Sequence, residues 1–390
     1  MFKKFLRSIV AVISVLLVTS CSSMLQNEAY NSIRIGVILP LTGEYEGQGK
    51  EMLNGIELAV KNLNAQGGID SRLIALVTRN SKADAENAEN LMRDMIANDN
   101  VVAVVGGYLN SEINALSKVA EELKTPYVAA ISKNNHFAPK SYYSFETAIN
   151  DDERAAAMIY YLYFINKFKR IAILIDTETI DNHYRNLGIR SSKFLSYFSP
   201  NSVISLLYKP ESESFSSQIN LLLKSDAEAV IIPADHQTVA KFTEQARKLG
   251  YAGMVAAFDE LNCEKFLNMD NLTGNIIFTG SYSEENNSKI NHKFIELFNQ
   301  EYSCNPNDLS ANAYEAILFL RKGLNKTYTP DMIAYNLNYS KKYLSVCGDV
   351  ILNSQKKVLH PVYIFEKANK TKKLKEKISA YSLRKFDELK

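Results

Sequence analysis

The sequence predicts an α/β protein of two lobes, each a mostly parallel sheet flanked by helices. The first observation is a βαβ unit near the start of the chain. An apolar, β-branched run at 33–39 precedes a glycine-containing polar loop, and a helical period follows over 52–63. Gly67-Gly68 ends that helix, and Leu73–Val77 is the next apolar run. The second observation is length, because 390 residues exceed the usual size of one domain.

The elements predicted after that unit keep alternating, which favours parallel sheets with right-handed crossovers. They are a helix at Ala83–Ile96, a strand at Val101–Val105, a helix capped by Asn110 or Ser111, a strand at Tyr127–Ile131, an extended piece at Tyr143–Glu146, a helix at Arg154–Phe164, a strand at Arg170–Asp176, a helix at Tyr184–Tyr197, a strand at Val203–Tyr208, a helix at Phe215–Lys224, a strand at Ala229–Ile232, a helix at Val239–Leu249, and strands at Met254–Ala257 and Ile276–Phe278.

The first twenty residues are predicted to be a lipoprotein signal peptide rather than part of the fold. Three basic residues precede the apolar stretch Ile9–Val18, which is too short to span a bilayer. Val18-Thr19-Ser20-Cys21 follows and is typical of a bacterial lipobox. We therefore expect cleavage before Cys21, acylation of Cys21, and a tether over 21–32. The alternative is an ordinary cleaved signal peptide that happens to contain one cysteine.

The charge balance gives no support for a nucleic-acid partner. The chain has 45 Lys and Arg residues against 43 Asp and Glu, for a formal net charge of +2 at pH 7. Nucleic-acid-binding domains usually carry a clear basic excess. We therefore predict that the chain does not bind nucleic acid.

Cysteine and histidine spacing predicts neither a metal site nor a cofactor. Beyond Cys21 there are three cysteines, so at most one disulfide can form, and the sequence leaves the pair open: Cys263, Cys304, Cys347. No CxxC is present. The histidines have no metal-ligand spacing: His136, His183, His236, His292, His360.

Enzyme signatures are missing from the sequence. HExxH, GxSxG, Walker A and a GxGxxG after a strand are all absent. Asp235-His236 beside a Ser or Thr would suggest a triad, but no residue is fixed as its nucleophile. We predict that the protein is not an enzyme.

The segments IGVILPLTG, GQG and NGIELAVKNLNAQGGI, in this order and spacing, resemble the start of the leucine/isoleucine/valine-binding proteins. The resemblance covers residues 33–366 and implies the type I periplasmic binding protein fold, with three hinge crossings near Thr147–Asn150, Thr279–Ser283 and Val346–Asp349. The implied division is 33–148 plus 281–346 for lobe 1, 149–280 plus 347–366 for lobe 2, and a Lys-rich tail at 367–390. We expect that tail to be a solvated helix or a frayed end.

Ligands of open α/β sheets bind beyond the carboxyl ends of the strands, which draws attention to the loops after the predicted strands. The resemblance places the grip on a ligand carboxylate at Asn110, where the family has Ser, with Ser111 beside it. A second loop aligns with Ile131-Ser132-Lys133, and Lys133 would pair with an anionic group. A plain helix cap and a solvated loop lysine are the alternatives. Tyr108 is either an apolar wall or a core aromatic.

Three further positions concern the ammonium and side chain of a ligand. The resemblance places the ammonium acceptor at Asp259, where the family has Glu, and a surface turn is the alternative. Tyr184 matches a ligand tyrosine of the family. Asp235 replaces a second one, and this extra acid would suit an additional basic group on the ligand.

The resemblance implies a lipid-anchored, monomeric solute receptor that delivers an amino acid or a similar small polar ligand to an ABC permease. It would face the periplasm or the exterior of a bacterial cell. A second class of function stays open, because the start LPLTG also resembles penicillin-binding-protein activator lipoproteins, which contact a peptidoglycan synthase. This regulatory alternative stays open because the chain departs from the amino-acid-binding pattern at Asn110, Tyr184-Arg185 and Asp235.

Overall fold

The computed structural model describes residues 32–131, 141–177, 183–209, 212–272, 274–324, 326, 328–340, 345–352 and 358–387. The described strands are β1 (Ile33–Leu39), β2 (Ile74–Asn80), β3 (Ala103–Gly106), β4 (Tyr127–Ala129), β5 (Ser144–Glu146), β6 (Ile171–Asp176), β7 (Val203–Tyr208), β8 (Ala229–Ile231), β9 (Met254–Ala257), β10 (Ile276–Gly280), β11 (Ile351–Leu352), β12 (Val358–Leu359), β13 (Val362–Ala368) and β14 (Thr371–Ile378).

Helices flank these strands, and one of them continues into a π-helical segment at Tyr160–Ile165. They are α1 (Glu46–Ala65), α2 (Ala85–Asn98), α3 (Asn110–Leu123), α4 (Asp151–Ile159), α5 (His183–Phe198), α6 (Ser216–Lys224), α7 (His236–Lys248), α8 (Glu264–Leu267), α9 (Lys289–Tyr302), α10 (Asp308–Gly323), α11 (Pro330–Asn338) and α12 (Ala380–Asp387).

Two separate sheets confirm the two-lobed α/β fold. The first has the order β2-β1-β3-β4-β5 and is parallel throughout. The second has the order β14-β13-β10-β9-β8-β6-β7. Its strands β6 to β10 are parallel, whereas β13 pairs antiparallel with both β10 and β14. Helices cover both faces of each parallel region, so the central strands are almost wholly apolar.

The first lobe takes helices from two distant parts of the sequence. Helix α10 packs against α1 so closely that a Cβ on Gly55 would lie 2.1 Å from the Ser310 carbonyl oxygen. Ile317 of α10 shares a core with Ile56 of α1 and Val37 of β1. The chain thus passes between the lobes three times, after β5, after β10 and between α11 and β13.

The prediction of a solvated, Lys-rich tail after residue 366 is wrong. Strand β14 pairs with β13 and forms an edge of the second sheet. Lys373 and Lys375 are exposed, whereas Lys372 contacts Asn262 and the Phe365 ring. Helix α12 then buries Leu383 and Phe386 in the core of that lobe, at 2% and 1% exposure. A few apolar residues are enough for this segment to pack against the lobe, although its Lys-rich composition is typical of a solvated segment.

Within the described ranges, no helix combines the length and the apolar character needed to cross a membrane. The three cysteines discussed above, at 263, 304 and 347, are free thiols, so no disulfide joins them.

Candidate functional site

Most of the predicted site residues lie beyond the carboxyl ends of parallel strands, where this architecture binds ligands. Tyr108 follows β3 in the first lobe, while Asp235 and Asp259 follow β8 and β9 in the second. Tyr184 is the second residue of α5, the helix that comes after β6. Ile131 follows β4 and is buried. Ser132 and Lys133 lie outside the described residues.

The N-terminus of α3, where we expected a carboxylate grip, is capped by an acid of its own helix. Leu109 is the N-cap residue rather than Asn110 or Ser111, and its side chain has no cap bond. The Glu112 carboxylate instead accepts from the backbone N–H groups of Tyr108 (3.2 Å) and Leu109 (2.9 Å). Two amides that could have faced an anionic ligand are therefore already bound. Ser111 is exposed.

Asp259 is already paired within the protein. Its Oδ2 accepts from Arg154 Nε at 2.9 Å, and its Oδ1 accepts from the Thr279 hydroxyl. Burial raises the pKa of Asp259. The Arg154 guanidinium lowers this pKa and neighbouring Glu260 raises it, and the net shift is upward. A carboxylate engaged in this way is less available to a ligand ammonium than the sequence suggested.

Asp235 is the N-cap of α7. Its carboxylate accepts from the backbone N–H of Gln237 at 2.8 Å, and from the backbone N–H and hydroxyl of Thr238 at 3.0 and 2.8 Å. Such a cap stabilises the first turn of the helix, and its charge is offset by the helix dipole. The acid that replaced a family tyrosine therefore has a structural role.

A cluster of charged side chains surrounds the start of α4, and the sequence analysis missed it. Arg154 contacts both Asp259 and Asp151, the latter at 3.4 Å from Nη1. On the other side of Asp151, its Oδ2 lies 2.9 Å from His183 Nδ1, and His183 Nε2 lies 3.0 Å from Glu260 Oε1. We call these five residues the acid cluster. It contains three carboxylates and two cationic side chains.

Side chains from both lobes converge on Glu260. Burial raises the pKa of Tyr108 to about 12, with further contributions from Tyr45 and Glu51 in the first lobe and from Glu260 in the second. Burial and Glu260 also raise the pKa of Tyr184. The rings of Tyr45 and Tyr108 are 5.3 Å apart and pack against each other. Glu260 is therefore within electrostatic range of tyrosines from both lobes.

The missed residues left only faint signals in the sequence. Glu260 and His183 are direct neighbours of two residues that the sequence did single out, Asp259 and Tyr184. Asp151 precedes the predicted helix Arg154–Phe164 and was not singled out, but it is completely buried. Spacing along the chain could not show that these segments meet in space.

The chemistry of the site suits the binding of a polar ligand. Acids, tyrosines and two cations can hold and orient such a ligand. Among the residues that the structure describes, no group of three or more His, Cys, Asp or Glu side chains is arranged to hold a metal ion.

Two α/β lobes with a polar cleft at their strand ends define the class of two-lobed solute-binding folds. A sequence profile of the family described as "Periplasmic binding protein" matches residues 32–372. The chain therefore belongs to the periplasmic binding protein family.

Named relatives match over part of their length. A protein of Pseudomonas aeruginosa named "Amino acid binding protein" is 23% identical over 227 residues, which is 58% of this chain and 60% of that protein. The "Leu/Ile/Val-binding protein homolog 7" of Brucella abortus is 33% identical over 95 residues, 24% of either chain. The matches thus span between a quarter and three fifths of these relatives.

Solved structures with the same fold cover nearly the whole chain. A leucine-binding protein from Thermotoga maritima has a TM-score of 0.71 at 21% identity, over 89% of this chain and 99% of its own. A branched-chain amino-acid-binding protein from Streptococcus pneumoniae, solved with isoleucine, has 0.72 at 20%, with the same coverage. A solute-binding protein from Rhodopseudomonas palustris, solved with 3,4-dihydroxybenzoic acid, has 0.70 at 18%, over 90% and 98%. One fold therefore serves chemically different ligands.

Proposed function

We propose that this protein is an extracytoplasmic receptor that closes its two lobes on an amino acid, or a similar small ligand with an ammonium group. It would deliver that ligand to an ABC importer. Membership of the periplasmic binding protein family supports the receptor role. The names of the Pseudomonas and Brucella relatives support an amino-acid ligand.

The observation that carries this proposal is the position of Glu260. Its carboxylate lies close enough to Tyr108 of one lobe and Tyr184 of the other to affect the pKa of both phenols. An ammonium buried there needs an anion beside it, because an unpaired buried charge costs several kcal/mol. Glu260 lies 3.0 Å from His183, in a cluster that contains two further carboxylates. We propose Glu260 as the ligand's direct partner and Asp259 as its neighbour in the cluster.

A thermal-shift screen of the twenty amino acids against the purified protein tests the proposal. A ligand at about 100 times its Kd stabilises the native state by about 2.7 kcal/mol, which raises the unfolding midpoint clearly. We expect at least one amino acid to do so, and Glu260→Gln to reduce the shift strongly when it is measured against the unliganded midpoint of that variant. If no amino acid shifts the wild-type midpoint at millimolar concentration, the proposed ligand class is wrong. 3,4-Dihydroxybenzoic acid, the ligand in the Rhodopseudomonas palustris structure, serves as the probe for a ligand that is not an amino acid.

We also propose that Cys21 carries a lipid that anchors the receptor to a bacterial membrane, facing the periplasm or exterior, and that the receptor acts as a monomer. The support for the anchor is the lipobox Val18-Thr19-Ser20-Cys21 after a short apolar stretch. Cys21→Ser should move the protein out of the membrane fraction or leave it unprocessed. An unchanged mass and an unchanged fractionation pattern would contradict the anchor. No described feature favours the regulatory-lipoprotein alternative, and we do not propose it.

A further inference from the structure

Helix α11 of the first lobe carries apolar and aromatic side chains on two opposite faces. Its inner face buries Ile333 and Leu337 in the core of that lobe. Its outer face exposes Met332, Tyr335 and Tyr339, at 46%, 47% and 60% exposure. These three positions follow the spacing i, i+3 and i+7, so they share one side of the helix. We call them the α11 stripe. A helix that is apolar all round is normally buried on both sides, so the exposed stripe indicates a contact surface.

A further tyrosine extends the α11 stripe beyond its own helix. The Tyr335 and Tyr339 rings pack with their centroids 4.6 Å apart. Tyr142, which is 37% exposed, lies beside the end of α11, because its carbonyl oxygen accepts from the Asn338 side chain at 2.9 Å. Tyrosine combines an apolar ring with a polar tip, which suits the boundary between water and lipid.

Exposed cations lie next to the same surface. The Asn336 side chain donates to the Gly323 carbonyl oxygen at 3.0 Å, which holds the end of α10 against α11. The last turn of α10 carries the exposed pair Arg321-Lys322. Asp331, the acid of α11, accepts from the Tyr143 hydroxyl. Cations beside exposed tyrosines complement the negative headgroups of an anionic lipid surface.

The chain enters the fold close to the start of α11. At the beginning of β1, the Ile33 N–H donates to the Leu73 carbonyl oxygen at 2.8 Å. Neighbouring Arg72 lies over the Tyr328 ring, 4.3 Å from its centroid. Tyr328 is two positions before Pro330, the first residue of α11. A short series of contacts therefore connects the entry of the chain with the helix that carries the stripe.

The length of chain before that entry limits how far the bilayer can be. Ten residues, 22–31, separate Cys21 from Ser32, the first described residue. Even fully extended, ten residues span at most about 36 Å. A lipid on Cys21 would therefore keep this end of the lobe near the bilayer. Because the tether raises the effective concentration of the two surfaces, weak contacts from a few side chains are sufficient.

We propose that the α11 stripe and Tyr142 form a membrane-contact surface, which seats this end of the first lobe on the headgroup layer of the anionic bilayer that holds the Cys21 lipid. The inference rests on the proposed lipid anchor and goes beyond the proposed receptor role, because it assigns the anchored protein a defined orientation. The other possible occupant is a second copy of the chain, and the experiment distinguishes the two.

The chain has no tryptophan, so one introduced tryptophan is a unique fluorescent probe. Tyr335→Trp places it on the α11 stripe, and Tyr381→Trp, at a 68% exposed position of α12, is the matched control in the second lobe. The full-length proteins are produced in bacteria and reconstituted into vesicles of phosphatidylethanolamine and phosphatidylglycerol, with or without bromine on the acyl chains. An interfacial helix buries its apolar face by about 5–10 Å, so we expect a blue-shifted Tyr335→Trp emission that bromine quenches about twofold more than that of Tyr381→Trp.

A charge placed on the stripe provides a second test. Met332→Asp, added to Tyr335→Trp, should lower the quenching to that of the Tyr381→Trp control, and unchanged quenching would contradict the proposal. Equal quenching of the two single probes overturns it as well. A blue shift of Tyr335→Trp that appears without vesicles and grows with protein concentration assigns the stripe to a second copy instead. Mass spectrometry of Cys21 separates the two hypotheses: an unmodified Cys21 refutes the anchor and this contact together, whereas an acylated Cys21 with an unquenched Tyr335→Trp refutes the contact alone.

Discussion

Replacing Arg154 with methionine tests the acid cluster most severely. The guanidinium contacts Asp259 at 2.9 Å and Asp151 at 3.4 Å, and its side chain is only 8% exposed. Methionine keeps most of the apolar stem but removes the charge. Removal of one partner from a buried ion pair typically costs about 3–5 kcal/mol, because the remaining charge stays buried without compensation. We expect Arg154→Met to destabilise the protein by about that amount at pH 7.

The same reasoning predicts how the loss depends on pH. Asp259 already has a raised pKa, and loss of the guanidinium raises it further, so mild acid should protonate the carboxylate and relieve the uncompensated charge. Urea unfolding followed by circular dichroism at pH 7 and pH 5 measures this. The deficit of Arg154→Met relative to wild type should shrink at pH 5. The double variant Arg154→Met with Asp259→Asn should recover part of the stability at pH 7.

The control is a well-formed but exposed ion pair. Arg170 contacts Asp226 at 3.0 Å, with side chains 53% and 82% exposed. Exposed pairs contribute little, because water and salt screen them. Arg170→Met should therefore be nearly neutral. If Arg154→Met is equally neutral, or if its deficit does not change between pH 7 and pH 5, the acid cluster is not the buried, charged network described above.

Three further outcomes are expected. Asp235→Ala should lower the free energy of unfolding in urea by about 1 kcal/mol, because the α7 cap is lost, and Asp235→Asn, which keeps an acceptor, should lower it less. A tenfold or larger loss of ligand affinity in either variant would contradict a purely structural role of Asp235. Phe386→Ala should cost about 3–5 kcal/mol, because this 1%-exposed ring packs 5.3 Å from Phe194, and exposed Tyr381→Ala is its control. The raised pKa of His183 contributes stability that is complete below pH 6.5, the ordinary pKa of histidine, and is lost as the pH rises through about 10. Between these values the free energy of unfolding of wild type should fall by up to about 1.4 kcal/mol per pH unit relative to that of His183→Gln. Parallel pH profiles of the two proteins would contradict the ion pairs of His183 with Asp151 and Glu260.

The parallel core of each lobe could be predicted from the sequence because its physics is local. Runs such as Ile171–Asp176, with β-branched residues and little polarity, form buried parallel strands whatever lies around them. The C-terminal segment was missed for the opposite reason. Strand β14 is an edge strand that carries lysines, and only its pairing with β13 distinguishes it from a solvated tail.

The sequence predicted where a ligand site should lie but not how its charged groups pair. Topology drew attention to the loop that contains Tyr108, whereas the family resemblance singled out Tyr184. Which carboxylate can contact a ligand depends on ion pairs between residues that are far apart in the sequence. Asp259 is 105 positions from the arginine that engages it, and no spacing rule connects the two. Neighbouring Glu260 was overlooked because its significance comes from residues in other segments.

The central claim is that Glu260 receives the ammonium of a ligand, and one calorimetric comparison tests it most directly. The amino acid that best stabilises the wild type is titrated into wild type, Glu260→Gln and Asp259→Asn. Truncation of one partner of a buried charged contact typically costs about 2–5 kcal/mol, so Glu260→Gln should weaken binding by about 30-fold or more, and Asp259→Asn by clearly less. Wild-type affinity in Glu260→Gln, or a larger loss in Asp259→Asn, would contradict the account.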